Sequence, residues 1–213
     1  MYDLHTHTIF SDGELLPVEL IRRFSVLGYT TVGITDHVDA SNISSVLGCL
    51  EEIRGSALKY GVKMLTGVEI THVPPDEIAS LAGRAKNSGA EIVIVHGETV
   101  VEPVAEGTNR AACSCGDVDI LAHPGLISHE DAQVARDNGV VLEVTSRSGH
   151  NRTNGHVVQV AREVGCRIAI NSDTHSPSDI MTKEMRYYVA RGAGMSETES
   201  RTALSEFSGG TIK

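Results

Sequence analysis

Residues 166–175 read CRIAINSDTH, and this stretch decides the fold. A short apolar run gives way to Asp173 and His175. Runs of this length read as strands when helical segments flank them. Side chains two apart on a strand share a face, so Asp173 and His175 can converge on one centre just past the strand's downstream end. The same grammar recurs upstream. TTVGITDH (30–37), VKMLTGVEI (62–70), EIVIVHGE (91–98) and VDILAHPG (118–125) each end at or near a histidine or a carboxylate, namely His37, Glu69, His96 and His123. GVVLEV (139–144) ends near Glu143, and the first strand, Tyr2 to His7, ends on His5 and His7.

Helical segments lie between these runs. PVELIRRFSVLG (17–28) has Pro17 at a first turn and Gly28 at a C-cap, and 76–89, 129–139 and 154–165 also end in glycine. Strand alternating with helix implies βαβ units and a parallel sheet, and near-continuous apolar strands fit a sheet covered on both faces. An eight-unit barrel typically takes about 250 residues, so the 213 residues here fit a seven-unit barrel better. An open doubly wound sheet is the alternative, weakened because no Gly-rich dinucleotide fingerprint follows the first strand. With no linker or low-complexity segment, 1–213 reads as one domain, with SGGTIK at the C-terminus frayed.

Composition narrows the partners. The chain is 40% hydrophobic and 22% charged, with a formal net charge of −10. Nonspecific grip on a phosphate backbone usually rests on a basic patch. Only 4% of residues are aromatic and none is tryptophan, so stacking platforms for single strands are scarce. Nucleic acid is thus disfavoured as a partner, although bound divalent cations would add positive charge that this count omits. Neither a leader segment nor a membrane span is expected. Cys49, Cys113, Cys115 and Cys166 have neither disulfide-framework nor zinc-knuckle spacing, which points to a reducing cytoplasm. Cys113-x-Cys115 lacks a second Cys or His pair nearby to complete a metal site.

The placement of the histidines carries the functional argument. A lone histidine is more often a hydrogen-bonded structural residue than a ligand. Scattered histidines would also fall on helices as often as at strand ends. Six imidazoles with several carboxylates on one rim, the C-terminal face that bears active sites in parallel barrels, indicate a multinuclear metal centre. His72 reads as a supporting residue, Glu143 equally as outer support or as a structural residue, His150 as within reach of a substrate, and His129 and His156 as surface residues near helix starts.

The stretches HTHTIFSDG, ITDH, GVEI, IVIVHGE, LAHPG and NSDTH, in this order from His5 to His175, resemble the polymerase and histidinol phosphatase (PHP) superfamily. The resemblance implies a distorted (βα)7 TIM-like barrel with a trinuclear metal site at the C-terminal ends of the strands. It implies that His5, His7, Glu69 and Asp173 hold one ion, that Glu69, His96 and His123 hold a second with Glu69 bridging, and that Asp12, His37 and His175 hold the third. Some relatives have histidine at the position of Asp12. A mixed nitrogen and oxygen set suits zinc, manganese or iron.

The reaction expected from this resemblance is hydrolysis of a small phosphomonoester, in the manner of a histidinol phosphatase, by a metal-bound hydroxide. Arg147, in TSRSGHNR (145–152), is the candidate for gripping the phosphate, with Arg152 as its rival. A nuclease or nucleotide phosphodiesterase of the same superfamily is the alternative. The gapless ligand set argues against a third reading, a non-catalytic relative such as a barrel-shaped ribonuclease P subunit.

Overall fold

The computed structural model describes residues 1–212. Its framework is a nearly closed parallel barrel: β1 (Tyr2–Asp3), β2 (Thr31–Ile34), β4 (Lys63–Ile70), β5 (Ile92–His96), β6 (Ile120–Ala122), β7 (Val141–Thr145) and β8 (Ile168–Asn171), hydrogen-bonded in that order. A two-residue strand, β3 (His37–Val38), pairs with the end of β4, setting His37 beside Glu69. Helices α1 (Pro17–Val26), α2 (Ile43–Glu51), α3 (Arg54–Lys59), α4 (Ile78–Asn87), α5 (Thr108–Cys113), α6 (His129–Asn138), α7 (Asn154–Val164), α8 (Lys183–Gly192) and α9 (Glu197–Glu206) complete the chain. No helix among the described residues is long and apolar enough to cross a membrane.

Strand alternation sorts the side chains into two layers. Val93, Val95, Leu142, Val144 and Ile170 face outward into the main apolar layer beneath the helices. Leu65, Ile92, Ile94, Ile120, Val141 and Ala169 face inward and pack with Tyr2, Leu4, Phe207 and Ile212. Each inward column therefore changes character along its length: Leu65 leads to Glu69, Ile94 to His96, and Val141 to Glu143. The upstream end of the barrel is a dry plug, and truncating one of its isoleucines to alanine would cost about 2–5 kcal/mol. The downstream end is where polar side chains collect.

Two expected strands are shorter than their sequence runs. The first pairs only at Tyr2 and Asp3, because the amide of Leu4 then donates to the side chain of Asn171 (3.0 Å) and Thr6 makes a lone bridge to Thr174. That bridge, with the amide of His7 donating to the Thr174 carbonyl (2.8 Å), closes the barrel between its first and last strands. The second run breaks at Thr35 and Asp36. The Asp36 carboxylate accepts from the amide and hydroxyl of Thr8 and from the hydroxyl of Ser11, fixing the loop that carries Asp12. The C-terminal stretch expected to fray is tied down. Thr31 donates to the carbonyl of Ser208, Lys63 to Gly209 and Arg167 to Ile212, so Ile212 is buried against the barrel's upstream end. Lys213 lies outside the described residues.

Candidate metal centre at the barrel rim

All nine ligands expected from the sequence meet at the downstream rim. His5, His7 and Glu69 form one group. Glu69, His96 and His123 form a second, and His7, Asp12, His37 and His175 a third. Asp173 joins His5 and His123 in a further group, and within each group the ligating atoms lie within 4.8 Å of one another. Glu69 is shared, as expected. Asp173 divides its oxygens as well: Oδ1 lies 3.2 Å from His7 Nε2, and Oδ2 lies 3.6 Å from His123 Nε2. The cluster is thus one continuous set of candidate donors with two carboxylates at its centre.

Backbone geometry holds it there. Among the described residues, the non-glycine residues with positive φ are His72 (53°), His123 (29°) and Asp173 (54°), and all three belong to ligand groups. Such strain costs of order 1–3 kcal/mol per residue and gathers at functional sites. Gly13 follows Asp12 in a turn whose amide donates to the Thr8 carbonyl. A Cβ on Gly13 would lie 2.6 Å from the backbone of His7, so only glycine lets the Asp12 loop fold against the first strand's end.

The donor set fits divalent cations. His7 Nδ1, both oxygens of Glu69, His123 Nδ1 and Asp173 Oδ1 are buried without an aligned hydrogen-bond partner. Unpartnered buried polar atoms are costly, and a bound ion is one of the things that answers them. The Nε2 atoms of His5 and His7 face each other at 3.0 Å, with Glu69 Oε2 at 3.3 and 3.5 Å from them. Burial alone would lower His5, but the carboxylates of Glu143, Glu69 and Asp173 overcome it and hold the imidazole well above its ordinary value. Burial and the neighbouring His37 keep His7 well below its own. The facing nitrogens thus converge where a cation would bind. Burial, opposed by His5 and reinforced by Glu69, pushes Asp173 up to about 6.

Supporting contacts surround the ligands. Glu143, for which the sequence left support of the site and a structural role both open, accepts from His5 Nδ1 (2.8 Å), the Asn171 amide group (2.9 Å) and the backbone amide of His123 (3.1 Å). Carboxylates behind metal-binding imidazoles fix ring orientation and tautomer in this way. His37 Nδ1 lies 2.7 Å from Thr71 Oγ1. His129 and His156 stand in the first turns of α6 and α7 outside the ligand groups, pairing with Glu163 and with the carbonyl of Ile127. No cysteine enters a ligand group among the described residues.

Sequence reasoning missed the part played by Glu102. It arrives on the loop after β5 and sets Oε2 3.1 Å from His72 Nε2 and from His96 Nε2, and Oε1 3.3 Å from His150 Nε2. The sequence offers the polar loop 96–112, with Glu98, Glu102 and Glu106, as a cover for the site, but does not reveal which glutamate turns inward. Arg147 lines the same cleft, about 240 Å³ in volume, with Asp12, His72, Glu102, His150 and His175. Its guanidinium reaches Asp179 at 3.3 Å. Arg152 is exposed in the 3₁₀ turn His150–Thr153 and does not line the cleft. A larger hollow, mostly apolar, opens between Met1, α8 and α9 and contains no ligand group.

The sequence matches the family described as RNase P subunit p30 over residues 1–206. An uncharacterized protein of Methanocaldococcus jannaschii is 48% identical over 97% of this chain and 95% of its own length. Ribonuclease P protein component 3 of Methanosarcina mazei is 27% identical over 96% of this chain and 85% of its own. Among solved structures, the histidinol phosphate phosphatase of Lactococcus lactis superposes with a TM-score of 0.63, covering 92% of this chain and 94% of the other. At 16% identity that likeness shows the barrel alone.

These matches correct the reading of function drawn from sequence. Assignment to the PHP superfamily as a stand-alone phosphoesterase, hydrolysis of a small phosphomonoester and a small phosphorylated partner are all overturned by the full-length family match. The physical reason is that the fold is a barrel of the same kind as the phosphatase's, so strand-end histidines and carboxylates on such a barrel do not by themselves fix a family or a reaction. The argument against nucleic acid fails for a related reason. Net charge sums the whole surface and does not describe this cleft, whose lining combines six imidazoles and Arg147 with the carboxylates of Asp12, Glu102 and Asp173. Over residues 1–206, from the first barrel strand through the last helix, the chain belongs to the RNase P subunit p30 family.

Proposed function

We propose that this chain acts on RNA as a protein component of a ribonuclease P-like processing assembly, with the barrel rim as its RNA-facing surface. The observation that carries this reading is the family match over 1–206, which spans every residue of the rim cluster. His5, His7, Asp12, His37, Glu69, His96, His123, Asp173 and His175 would hold divalent transition metals there, up to three, of the zinc, manganese or iron class. Bound ions would supply local positive charge and open positions for phosphate oxygens in a molecule whose net charge is −10. Arg147 stands at the cleft edge, and its planar fork suits a backbone phosphate. The free cysteines fit work in a reducing cytoplasm.

The test is binding of structured, double-stranded and single-stranded RNA to the purified chain at stated salt, with manganese, zinc or chelator, beside affinity purification from its native cells. The reading expects metal-dependent RNA binding, and RNA with other protein subunits in the purified material. Recovery of the chain alone, with no RNA binding at low salt, would overturn it. Cleavage of RNA by the isolated chain would also overturn it, moving the catalytic role from the assembly to this barrel.

A further inference from the structure

His96 belongs to two ligand groups, one buried and one facing solvent. The inner group is Glu69, His96 and His123; the outer group is His72, His96 and Glu102. One nitrogen is left to serve both. His96 Nδ1 lies 3.2 Å from the carbonyl of Gly97, which leaves Nε2 as the free nitrogen, and Nε2 is the atom 3.1 Å from Glu102. One imidazole lone pair binds one ion, so the two groups exclude each other. The His96 ring lies between the others, with centroids 5.0 Å from His72 and 4.4 Å from His123. The side chains of His72 and Glu102 are 40% and 38% exposed, whereas Glu69 is fully buried. The positive φ that His72 shares with the ligands His123 and Asp173 turns it toward this loop, where its side chain meets Glu102.

The geometry points to an entry site for a divalent transition ion, made by His72, Glu102 and His96, from which the ion passes inward to Glu69 and His123. The passage is a ligand exchange. His96 Nε2 keeps its bond throughout, the bonds to His72 Nε2 and Glu102 Oε2 break, and bonds to Glu69 and His123 form. No electron is transferred, and the ion is never without a protein ligand. Glu102, freed from the ion, returns to His150, which lies 3.3 Å from its other oxygen. The donor chemistry, two imidazoles and one carboxylate, suits zinc, iron or cobalt better than magnesium or calcium.

This inference rests on the metal-centre reading of the rim, and its test separates the two. Metal-free protein is mixed with cobalt(II), and the rise of its visible absorption is followed by stopped flow. The final metal content is then measured by elemental analysis. Wild type is compared with His72→Gly, which removes the ligand and suits the positive φ, with Glu102→Gln, and with the double variant. The expected result is uptake slowed at least tenfold in the double variant, with final metal content equal to that of wild type. Unchanged uptake rates would overturn the entry site while leaving the metal centre standing. A double variant that ends one ion short would overturn it too, making the outer group a permanent site. Wild type that takes up no cobalt would overturn the metal centre itself, and the entry site with it.

Discussion

Glu143 Oε1 lies 2.8 Å from His5 Nδ1, and this contact turns the opposite nitrogen of His5 toward His7, Glu69 and Asp173. The same carboxylate accepts from Asn171 and from the His123 amide, so all its visible partners are donors. Glu143→Gln keeps the shape but faces one of those donors with an NH₂ group. Loss of such a supporting contact typically weakens metal binding 10–100-fold. Chelator competition on the variant should show a loss of about that size with the barrel's circular dichroism preserved. Wild-type affinity would remove Glu143 from the centre's support.

Glu69 belongs to two of the ligand groups. Glu69→Gln should therefore lower metal content by more than one ion per chain, because the lost charge is missing from both. Elemental analysis of protein purified without chelator checks this. Loss of a single ion would show that Asp173 carries the second bridge alone.

Metal uptake should release protons. Burial would lower His37, but the Glu69 carboxylate beside it pushes its pKa up to about 9, and His5 is also raised. At pH 7.5 the metal-free protein therefore holds protons on rings that must be neutral to bind an ion. Affinity should rise with pH up to about 9. Calorimetric enthalpies should also depend on the ionisation heat of the buffer. Enthalpies that do not vary between phosphate-free buffers of different ionisation heat would contradict the assignment of His37.

Arg147 should matter for RNA and not for metal. Removing one phosphate contact weakens binding nearly uniformly across sequences and reduces the salt slope by about 1. Arg147→Ala should show both effects at unchanged metal content, and Arg147→Lys should recover part of the affinity. An unaltered salt slope would leave the guanidinium as a partner of Asp179 only.

Much of the architecture was legible because it depends on local pattern. Apolar runs that end on Glu69, His96 and His123 announce both a buried strand and the chemistry at its end. Helix ends could be placed because Gly139 and Gly165 take the left-handed conformation that closes a helix. What stayed hidden depends on distant chain. The break at Asp36 exists because its carboxylate is claimed by Thr8 and Ser11, and Ile212 is buried because Thr31, Lys63 and Arg167 hold the segment that carries it. The part played by Glu102 follows from the path of one loop. Function was the least legible layer, since one barrel fold hosts different functions, and whole-surface charge says little about one cleft.

The join between the first and last strands is thin. Its one strand bridge is Thr6 to Thr174, and side-chain links such as Leu4 to Asn171 and Ser172 to Asp3 stand in for the ladder found elsewhere in the barrel. His5 and His7 stand on one lip of that join, and Asp173 and His175 on the other. Cations bound across them would act as rivets on an otherwise weakly sewn cylinder. Stripping the metal should let the cylinder gape there first, with the amide of His7 exchanging with solvent long before those of the opposite wall. The rim would then report its own occupancy mechanically, and any partner resting on it would meet a firm edge or a loose one.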